Sequence, residues 1–266
     1  MAPRAAVLIA ALALGGCLKA QSGGKADTGC RTCHAAHYVR EGECEECHRG
    51  NPGAERVELA HERLLTGRAA ELRMPDGLAR RDGQRLVEAL ACRRCHTIGG
   101  KGNRLATSLD AVVWKREQAE LVVSIREPVE SMPQFGLDEG QAEAIIAFLL
   151  GSGSPDRPQD TYRVHFTRGA GATSSVFEKE CGGCHRVLGP SGPLGTGNAG
   201  PNLSGLLTPF YPATAPGDRP WTEKALVDWL KNPRASRPHT TMPPVALKDD
   251  DLRKLVAELA PVDPGP

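Results

Sequence analysis

Apolar residues recur at helical spacing near the middle of the chain. Between Asp138 and Gly151 they keep one face apolar, at Ala142, Ile145, Ile146, Leu149 and Leu150. Asp138 precedes this run and Gln141 follows three residues later, a combination typical of a capping box at a helix N-terminus. The pattern therefore predicts a helix that begins directly after Asp138.

Two shorter apolar patterns precede this helix. One predicts a helix from about Asp82, and its apolar positions are Leu86, Val87 and Leu90. The other predicts a helix over Glu55–Thr66, and the positions on its shared face are Val57, His61, Leu64 and Leu65. Gly67 follows the second pattern and is expected to end that helix.

Three more patterns follow towards the C-terminus. A short helix is predicted near Ser174–Glu180, a second helix is capped by Thr222, and the last helix starts after Asp249. The apolar positions of the two longer helices are Leu226, Trp229, Leu230, Leu252, Leu255, Val256 and Leu259. The patterns together predict a mainly α-helical chain with long loops and little sheet.

The first seventeen residues have the pattern of an export signal. Met1–Arg4 is short and positively charged, and Ala5–Leu14 is an apolar run of ten residues, which is too short to span a bilayer. The stretch Leu14-Gly15-Gly16-Cys17 resembles a bacterial lipobox, in which the signal peptide (residues 1–16) is removed and Cys17 receives acyl chains. The resemblance implies a lipoprotein that faces the periplasm or lies on the outer membrane; an ordinary secreted protein is the alternative.

Composition limits the core that side chains alone can build. Aromatic residues make up only 4% of the chain, which also contains 30 glycines and 21 prolines. The net charge of +1 gives no support for nucleic-acid binding. No segment after the signal peptide is apolar enough to cross a membrane, so the mature chain is expected to be soluble and tethered by its lipid.

Eight of the nine cysteines occur in four copies of the pentapeptide Cys-x-x-Cys-His. The copies are Cys30/Cys33/His34, Cys44/Cys47/His48, Cys92/Cys95/His96 and Cys181/Cys184/His185. This pentapeptide is the attachment signature of c-type haem, in which the cysteines bind the porphyrin and the histidine ligates the iron. A zinc site would need the Cys-x-x-Cys units in pairs, and a dithiol redox site would need one copy. The sequence therefore predicts four haem c groups, whose apolar porphyrins add to the small core.

The first two motifs lie within nineteen residues, 30–48, which leaves no room for a core other than the haems. Two further histidines, His37 and His61, lie within reach of this segment and supply second ligands for two irons. Residues 17–70 are similar to the compact bis-His modules of class III and other small multihaem cytochromes. The resemblance implies a dihaem module with two histidines on each iron.

The spacing of the histidines suggests how the two irons share them. His37 follows His34 by three residues on the same side of a helical turn, so it cannot reach the far face of its own haem. His37 is therefore predicted to ligate the iron of the neighbouring motif, that of His48. His61 then remains for the iron of His34, although which of His37 and His61 serves which haem stays open.

The third motif follows the helix predicted from Asp82, and Met132-Pro133 precedes the helix capped by Asp138. Helix, haem motif, Met-Pro and terminal helix is also the order in class I monohaem cytochromes c, which residues 76–151 resemble. The resemblance implies that Met132 is the second ligand of the iron bound by His96. No Gly-Pro follows His96 before Trp114, so the acceptor of a hydrogen bond from the His96 ring is not identified.

The fourth motif repeats this plan in residues 166–262, after a Gly-, Ser- and Pro-rich linker assigned to 152–165. Here too the order resembles that of class I cytochromes. Gly200-Pro201-Asn202-Leu203 is similar to the family segment in which the proline carbonyl accepts the N–H of the ligating ring, which implies this role for Pro201. Met242 is the implied second ligand, and His239 is its rival.

Four irons, four motif histidines and four second ligands leave no iron open for a substrate. Such irons transfer electrons and bind neither dioxygen nor peroxide without losing a ligand. The sequence therefore predicts a carrier rather than an enzyme, in which a low-potential bis-His pair is followed by two His/Met haems of higher potential. It would serve redox partner proteins in a bacterial anaerobic respiratory chain. The alternatives are a subunit of a membrane oxidoreductase complex and a dihaem peroxidase.

Overall fold

The computed structural model describes residues 29–74, 76–129, 132–154, 156, 175–189 and 192–260. The chain divides into two compact units, residues 1–62 and 63–266. Helices are the main regular structure of the described residues, as predicted. Within these residues no helix is both long and apolar enough to cross a membrane. The predicted signal peptide, Cys17 and most of the predicted linker lie outside them.

The first unit consists of short helical turns. A 3-10 turn spans Gly29–Thr32, helix α1 spans Cys44–His48 and helix α2 spans Val57–Ala60. No side chain in residues 29–62 is buried, and Tyr38 is 66% exposed. An apolar group bound here would supply the core that the side chains of this unit do not form.

The predicted helix over Glu55–Thr66 is wrong. Only the single turn α2 forms, and His61 is its C-cap residue. Arg63 then takes a left-handed backbone conformation (φ +54°), and Leu65 is fully buried in the core of the second unit. Gly67 does not end a helix but begins a 3-10 helix, Gly67–Arg73, that packs on the same core. Burial against residues far along the chain has overridden the local helical period.

The first part of the second unit is a helical core around α6. Its elements are α3 (Leu78–Ala89), α4 (Leu109–Lys115), α5 (Gln118–Arg126), α6 (Glu139–Ser152) and the 3-10 helix Gly67–Arg73. The predicted capping box is confirmed, since Asp138 Oδ1 accepts the Gln141 N–H at 2.8 Å and Gln141 Oε1 accepts the Asp138 N–H at 3.0 Å. The five predicted apolar positions of α6 are all buried.

Helices α3 and α6 meet at small residues. Ala79, Ala144 and Ala147 are fully buried there. Gly83 faces the backbone of α6 so closely that an added Cβ would overlap the carbonyl oxygen of Ala144. The missing side chain of Gly83 is what allows the two backbones to approach.

Replacing Gly83 by alanine should therefore destabilise the protein. In an exposed helix the same change stabilises by about 1 kcal/mol, but here the overlap forces α3 away from α6, and such overpacking costs roughly 1–3 kcal/mol. Thermal unfolding followed by circular dichroism measures the effect. Gln84→Ala, on the exposed face of the same helix, is the control and should leave Tm nearly unchanged. An unchanged or higher Tm for Gly83→Ala would contradict the close packing.

The C-terminal part of the second unit has its own core. Its elements are α7 (Val176–Glu180), β1 (Val187–Gly189), β2 (Gly192–Leu194), α8 (Glu223–Lys231), the 3-10 helix Pro233–Ala235 and α9 (Asp249–Leu259). The two strands are antiparallel, with Val187 opposite Leu194. Thr222 caps α8 as predicted, because its side chain accepts the Ala225 N–H at 3.1 Å. The Glu258 carboxylate of α9 accepts the Phe177 N–H at 2.8 Å and so ties α7, which leads into the fourth motif, to the last helix.

Candidate haem-binding sites

Each Cys-x-x-Cys-His motif forms one helical turn. The second motif is helix α1 itself. In the other three, the histidine N–H donates to the carbonyl of the first cysteine, at 3.0 Å for His34, 3.1 Å for His96 and 2.9 Å for His185. A turn of this kind places residues three and four apart on one face. The two cysteines and the histidine of each motif therefore lie within a single helical turn.

The cysteine thiols differ in their surroundings. Burial raises the pKa of both Cys92 and Cys181 to about 11, which keeps these thiols protonated near neutral pH. Burial also raises the pKa of Cys30, helped by the charges of Cys44 and Glu45.

Six of the motif cysteines are reduced thiols in the described part of the chain: Cys30, Cys44, Cys92, Cys95, Cys181 and Cys184. Cys33 is disulfide-bonded in this structure, which differs from its predicted thioether bond to a haem. Attachment of a haem through Cys33 therefore requires the disulfide to be reduced first.

The two motif histidines of the second unit are held by backbone carbonyls. His185 Nδ1 lies 2.9 Å from the carbonyl oxygen of Pro201, the atom expected from the Gly-Pro-Asn-Leu segment. His96 Nδ1 lies 2.7 Å from the carbonyl oxygen of Thr107, the acceptor that the sequence did not reveal. When Nδ1–H donates to a carbonyl, Nε2 keeps its lone pair and can ligate a metal ion.

The surroundings of both rings suit a histidine that ligates a metal ion. Burial lowers the pKa of His96, against the opposing effect of its bond to Thr107, and so favours the uncharged ring. Gly200 packs directly on the His185 ring, where any Cβ would overlap the ring atoms. Two cysteines and an oriented histidine form the donor set that haem c requires.

The two candidate methionines occupy corresponding loops. Met132 lies between α5 and α6, and Met242 lies between α8 and α9. Both side chains are half-buried, and Met242 packs against the C-terminal core. The rival ligand His239 is exposed.

Trp229 supports Met242, a role that the helical pattern of α8 could not reveal. Its Nε1–H donates to Met242 Sδ at 3.0 Å. The Arg237 guanidinium lies 5.4 Å from the centre of the Trp229 ring, and Trp221 meets that ring edge-on at 6.0 Å. The sulfur is therefore held by an indole that is itself fixed on two sides.

In the first unit the four histidines lie in two pairs. His37 Nε2 is 3.3 Å from His48 Nε2, and the His34 and His61 rings are 5.8 Å apart between centroids. A cavity of about 320 Å³ between the two motifs is lined by the first cysteine of each, Cys30 and Cys44. Among the described residues, no three His, Cys, Asp or Glu side chains come together as a bare metal ion would need. The first unit therefore contains two pairs of histidine rings and a cavity lined by motif cysteines.

Cys47, predicted to bind a haem together with Cys44, does not share the position of Cys44. Cys44 lines the cavity, whereas Cys47 lies three residues further along α1, is half-buried and is not part of the cavity wall. Two helical residues three positions apart are separated by about 4.5 Å along the axis and by about 60° less than a full turn around it. The two sulfurs therefore occupy different positions beside α1. Of the second motif's cysteines the structure thus brings only Cys44 to the cavity, and haem attachment through Cys47 stays a prediction.

Comparison with known families agrees with this geometry. Residues 78–149 match the family described as cytochrome c oxidase, cbb3-type, subunit III. Residues 171–259 match the cytochrome c family. No curated protein and no solved structure matches the chain.

Each matched stretch contains one complete motif, with the carbonyl that holds its histidine and the methionine that follows. Two such domains imply bound haem c and a role in haem-based electron transfer. The chain is therefore a c-type cytochrome, helix-rich and carrying two cytochrome c domains.

Proposed function

We propose that this protein is a tetrahaem electron carrier of a bacterial respiratory chain. One observation supports the proposal: each of the four motif histidines lies beside a group that suits an iron ligand, either a backbone carbonyl or a second histidine ring. His96 and His185 are held by carbonyls, whereas His34 and His48 each have a second histidine ring beside them. Haem iron supplies one-electron exchange between its ferrous and ferric forms.

The ligand types set an order of potentials along the chain. In the proposed arrangement His37 serves the iron of His48 and His61 serves the iron of His34. Met132 and Met242 serve the irons of the two cytochrome c domains. Methionine raises the potential relative to a second histidine. The first unit would then hold a low-potential dihaem pair of class III type, and the two class I-like domains would hold haems of higher potential.

Potentiometric titration of the holoprotein tests this order. We expect at least two well-separated waves, the lower from the bis-His pair and the upper from the His/Met haems. Near-infrared magnetic circular dichroism should show two His/His and two His/Met irons. A single narrow midpoint for all four haems, or a largely high-spin ferric protein, would refute the proposed ligand sets.

The carrier is proposed to be anchored by acyl chains on Cys17 and to face the periplasm or the outer membrane. Its donor and acceptor would be redox proteins that meet it briefly. Local charge supports such encounters, since four glutamates crowd the second motif. They are Glu41, Glu43, Glu45 and Glu46.

A second candidate function is that of an electron-transfer subunit in a membrane oxidoreductase complex. The match of residues 78–149 to the cbb3-type oxidase subunit III family favours it. Mild detergent extraction followed by size-exclusion chromatography separates the two functions: a carrier elutes alone, and a subunit elutes with stoichiometric partners. A peroxidase-like enzyme would instead show a rapid spectral change when peroxide is added to the half-reduced protein.

A further inference from the structure

The two cytochrome c domains meet at Arg94, a residue of the third motif. Arg94 lies between Cys92 and Cys95, and its Nη1 donates to the carbonyl oxygen of Asn202 in the other domain at 3.2 Å. The same carbonyl accepts the Tyr211 hydroxyl at 3.1 Å. The Arg94 guanidinium also lies over the Tyr211 ring, 5.5 Å from its centre. A fixed cation, a carbonyl and an aromatic face thus form one cluster.

Asn103 forms a second bridge beside this cluster. Its Nδ2 donates to the Arg94 carbonyl at 2.8 Å within its own domain and to Thr208 Oγ1 at 3.0 Å in the other. Thr208 is buried, and its hydroxyl donates to the Gly205 carbonyl at 2.7 Å. A Cβ on Gly205 would lie 2.7 Å from the Arg94 carbonyl oxygen, so the two backbones are in direct contact here. Such a contact transmits small displacements from one domain to the other.

The segment that receives these contacts also holds the histidine of the fourth motif. We call residues 200–208 the proximal loop. The carbonyl of Pro201 in this loop accepts a hydrogen bond from the His185 ring. The carbonyl of the next residue, Asn202, accepts a hydrogen bond from the Arg94 guanidinium. The third motif of one domain therefore contacts the loop that orients the predicted iron ligand of the other.

We propose that Arg94 is a positioning residue that clamps the proximal loop and joins the two cytochrome c domains into one redox unit. The inference rests on the proposed function, since it requires a haem in each domain. Arg94 brings the positive charge of a guanidinium to this contact. Burial raises the pKa of Tyr211, so the phenol stays neutral and continues to donate to Asn202.

Two effects follow from this arrangement. Loss of Arg94 removes one of the hydrogen bonds that hold the Asn202 carbonyl, so the proximal loop should open more often. A positive charge near an iron stabilises the ferrous form over the ferric form, because the ferrous site carries one positive charge fewer. Loss of the Arg94 charge should therefore lower the potential of the His185 haem as well as that of its own domain.

Arg93 offers a matched control from the same motif. Its Nε donates at 3.4 Å to the carbonyl oxygen of Ile98, inside its own domain. Arg93→Gln and Arg94→Gln therefore remove the same charge from the same turn, but only the second breaks a contact with the proximal loop. Asn103→Ala is a further variant outside the motif, useful if a change at Arg94 impairs haem attachment.

Hydrogen exchange of the holoprotein, read by mass spectrometry on peptides covering residues 200–208, tests the clamp. We expect exchange to be about tenfold faster in Arg94→Gln and in Asn103→Ala, as for the loss of one well-placed hydrogen bond. The Arg93→Gln protein should exchange like the parent protein. Equal exchange in the parent protein and all three variants would overturn the clamp.

Potentiometric titration of the same proteins tests the coupling. The His185 haem should titrate at a lower potential in Arg94→Gln and at an unchanged potential in Arg93→Gln, and Arg94→Lys should restore most of the shift. Equal shifts in the two glutamine variants would overturn the proposed coupling. The two hypotheses fail separately: fewer than four haems refutes the carrier, while unchanged exchange in a tetrahaem protein refutes only the clamp.

Discussion

Replacing Cys181 and Cys184 together by serine should remove one of four covalent haems and unfold much of the C-terminal domain. The first sulfur packs on that domain's core, so a haem attached through it would lie against the same core. Without the thioethers the haem is held only through His185. Haem extraction into acidic organic solvent, intact-protein mass spectrometry and pyridine haemochromogen absorbance per chain give the count. We expect four haems in the parent protein and three in the variant.

The control for this experiment is the cysteine outside the motifs. Cys17→Ser should retain all four haems, and it should lose the acyl chains and the membrane association proposed for the protein. A parent protein with fewer covalent haems than motifs would contradict the tetrahaem assignment. If Cys17→Ser lost a haem, the division of the nine cysteines into eight for haem and one for lipid would be wrong.

The second large effect concerns the distal side of the same haem. Met242→His should lower the potential of the His185 haem by a few tenths of a volt, within the roughly 0.8 V that axial ligands span. The reason is that a thioether favours ferrous iron more than an imidazole does. Potentiometric titration should then show three haems in the low-potential wave and one in the high-potential wave.

His239 provides the matched control for Met242. It lies three residues earlier and is exposed, so His239→Ala should leave the potentials and the low-spin spectrum unchanged. If His239→Ala moved the potential and Met242→His did not, the ligand assignment would have to be reversed. Trp229, which donates to the methionine sulfur, should then also prove unimportant for that haem.

Local signals in the sequence were reliable where only neighbouring residues take part. The capping box at Asp138 and the cap at Thr222 are both present, because a cap needs a side chain and an N–H three residues apart. The helix predicted over Glu55–Thr66 fails for the opposite reason. Burial of Leu65 in a core formed with α6 stabilises the protein more than extending a short, exposed helix would. The β1–β2 hairpin escaped prediction because its three-residue strands, rich in Gly and Pro, show no alternation.

The candidate site divides in the same way. The motif residues and both methionines could be named from the sequence, since their chemistry depends on residue type and order. The acceptor for His96 could not, because Thr107 contributes only a backbone carbonyl, a group that every residue possesses. In the sequence, Trp229 is recognisable only as an apolar position of α8. The hydrogen bond from its indole N–H to Met242 Sδ depends on the tertiary fold, which places the two side chains together.

The second motif shows the same division within one helical turn. Cys44 and Cys47 are equivalent in the pentapeptide, yet only Cys44 lines the cavity of the first unit. Residue order names both sulfurs as haem-binding groups, but the direction in which each one points depends on how α1 lies against its neighbours.

What the sequence by itself determined is the covalent chemistry: four places where two sulfurs and an imidazole occur in the right order. What only the tertiary structure decided is which groups surround them. Arg94 and Asn202 are 108 positions apart, and their contact joins a side chain common on protein surfaces to a backbone oxygen. No local pattern distinguishes such a pair, because the contact exists only after two separately packed cores have brought its partners together.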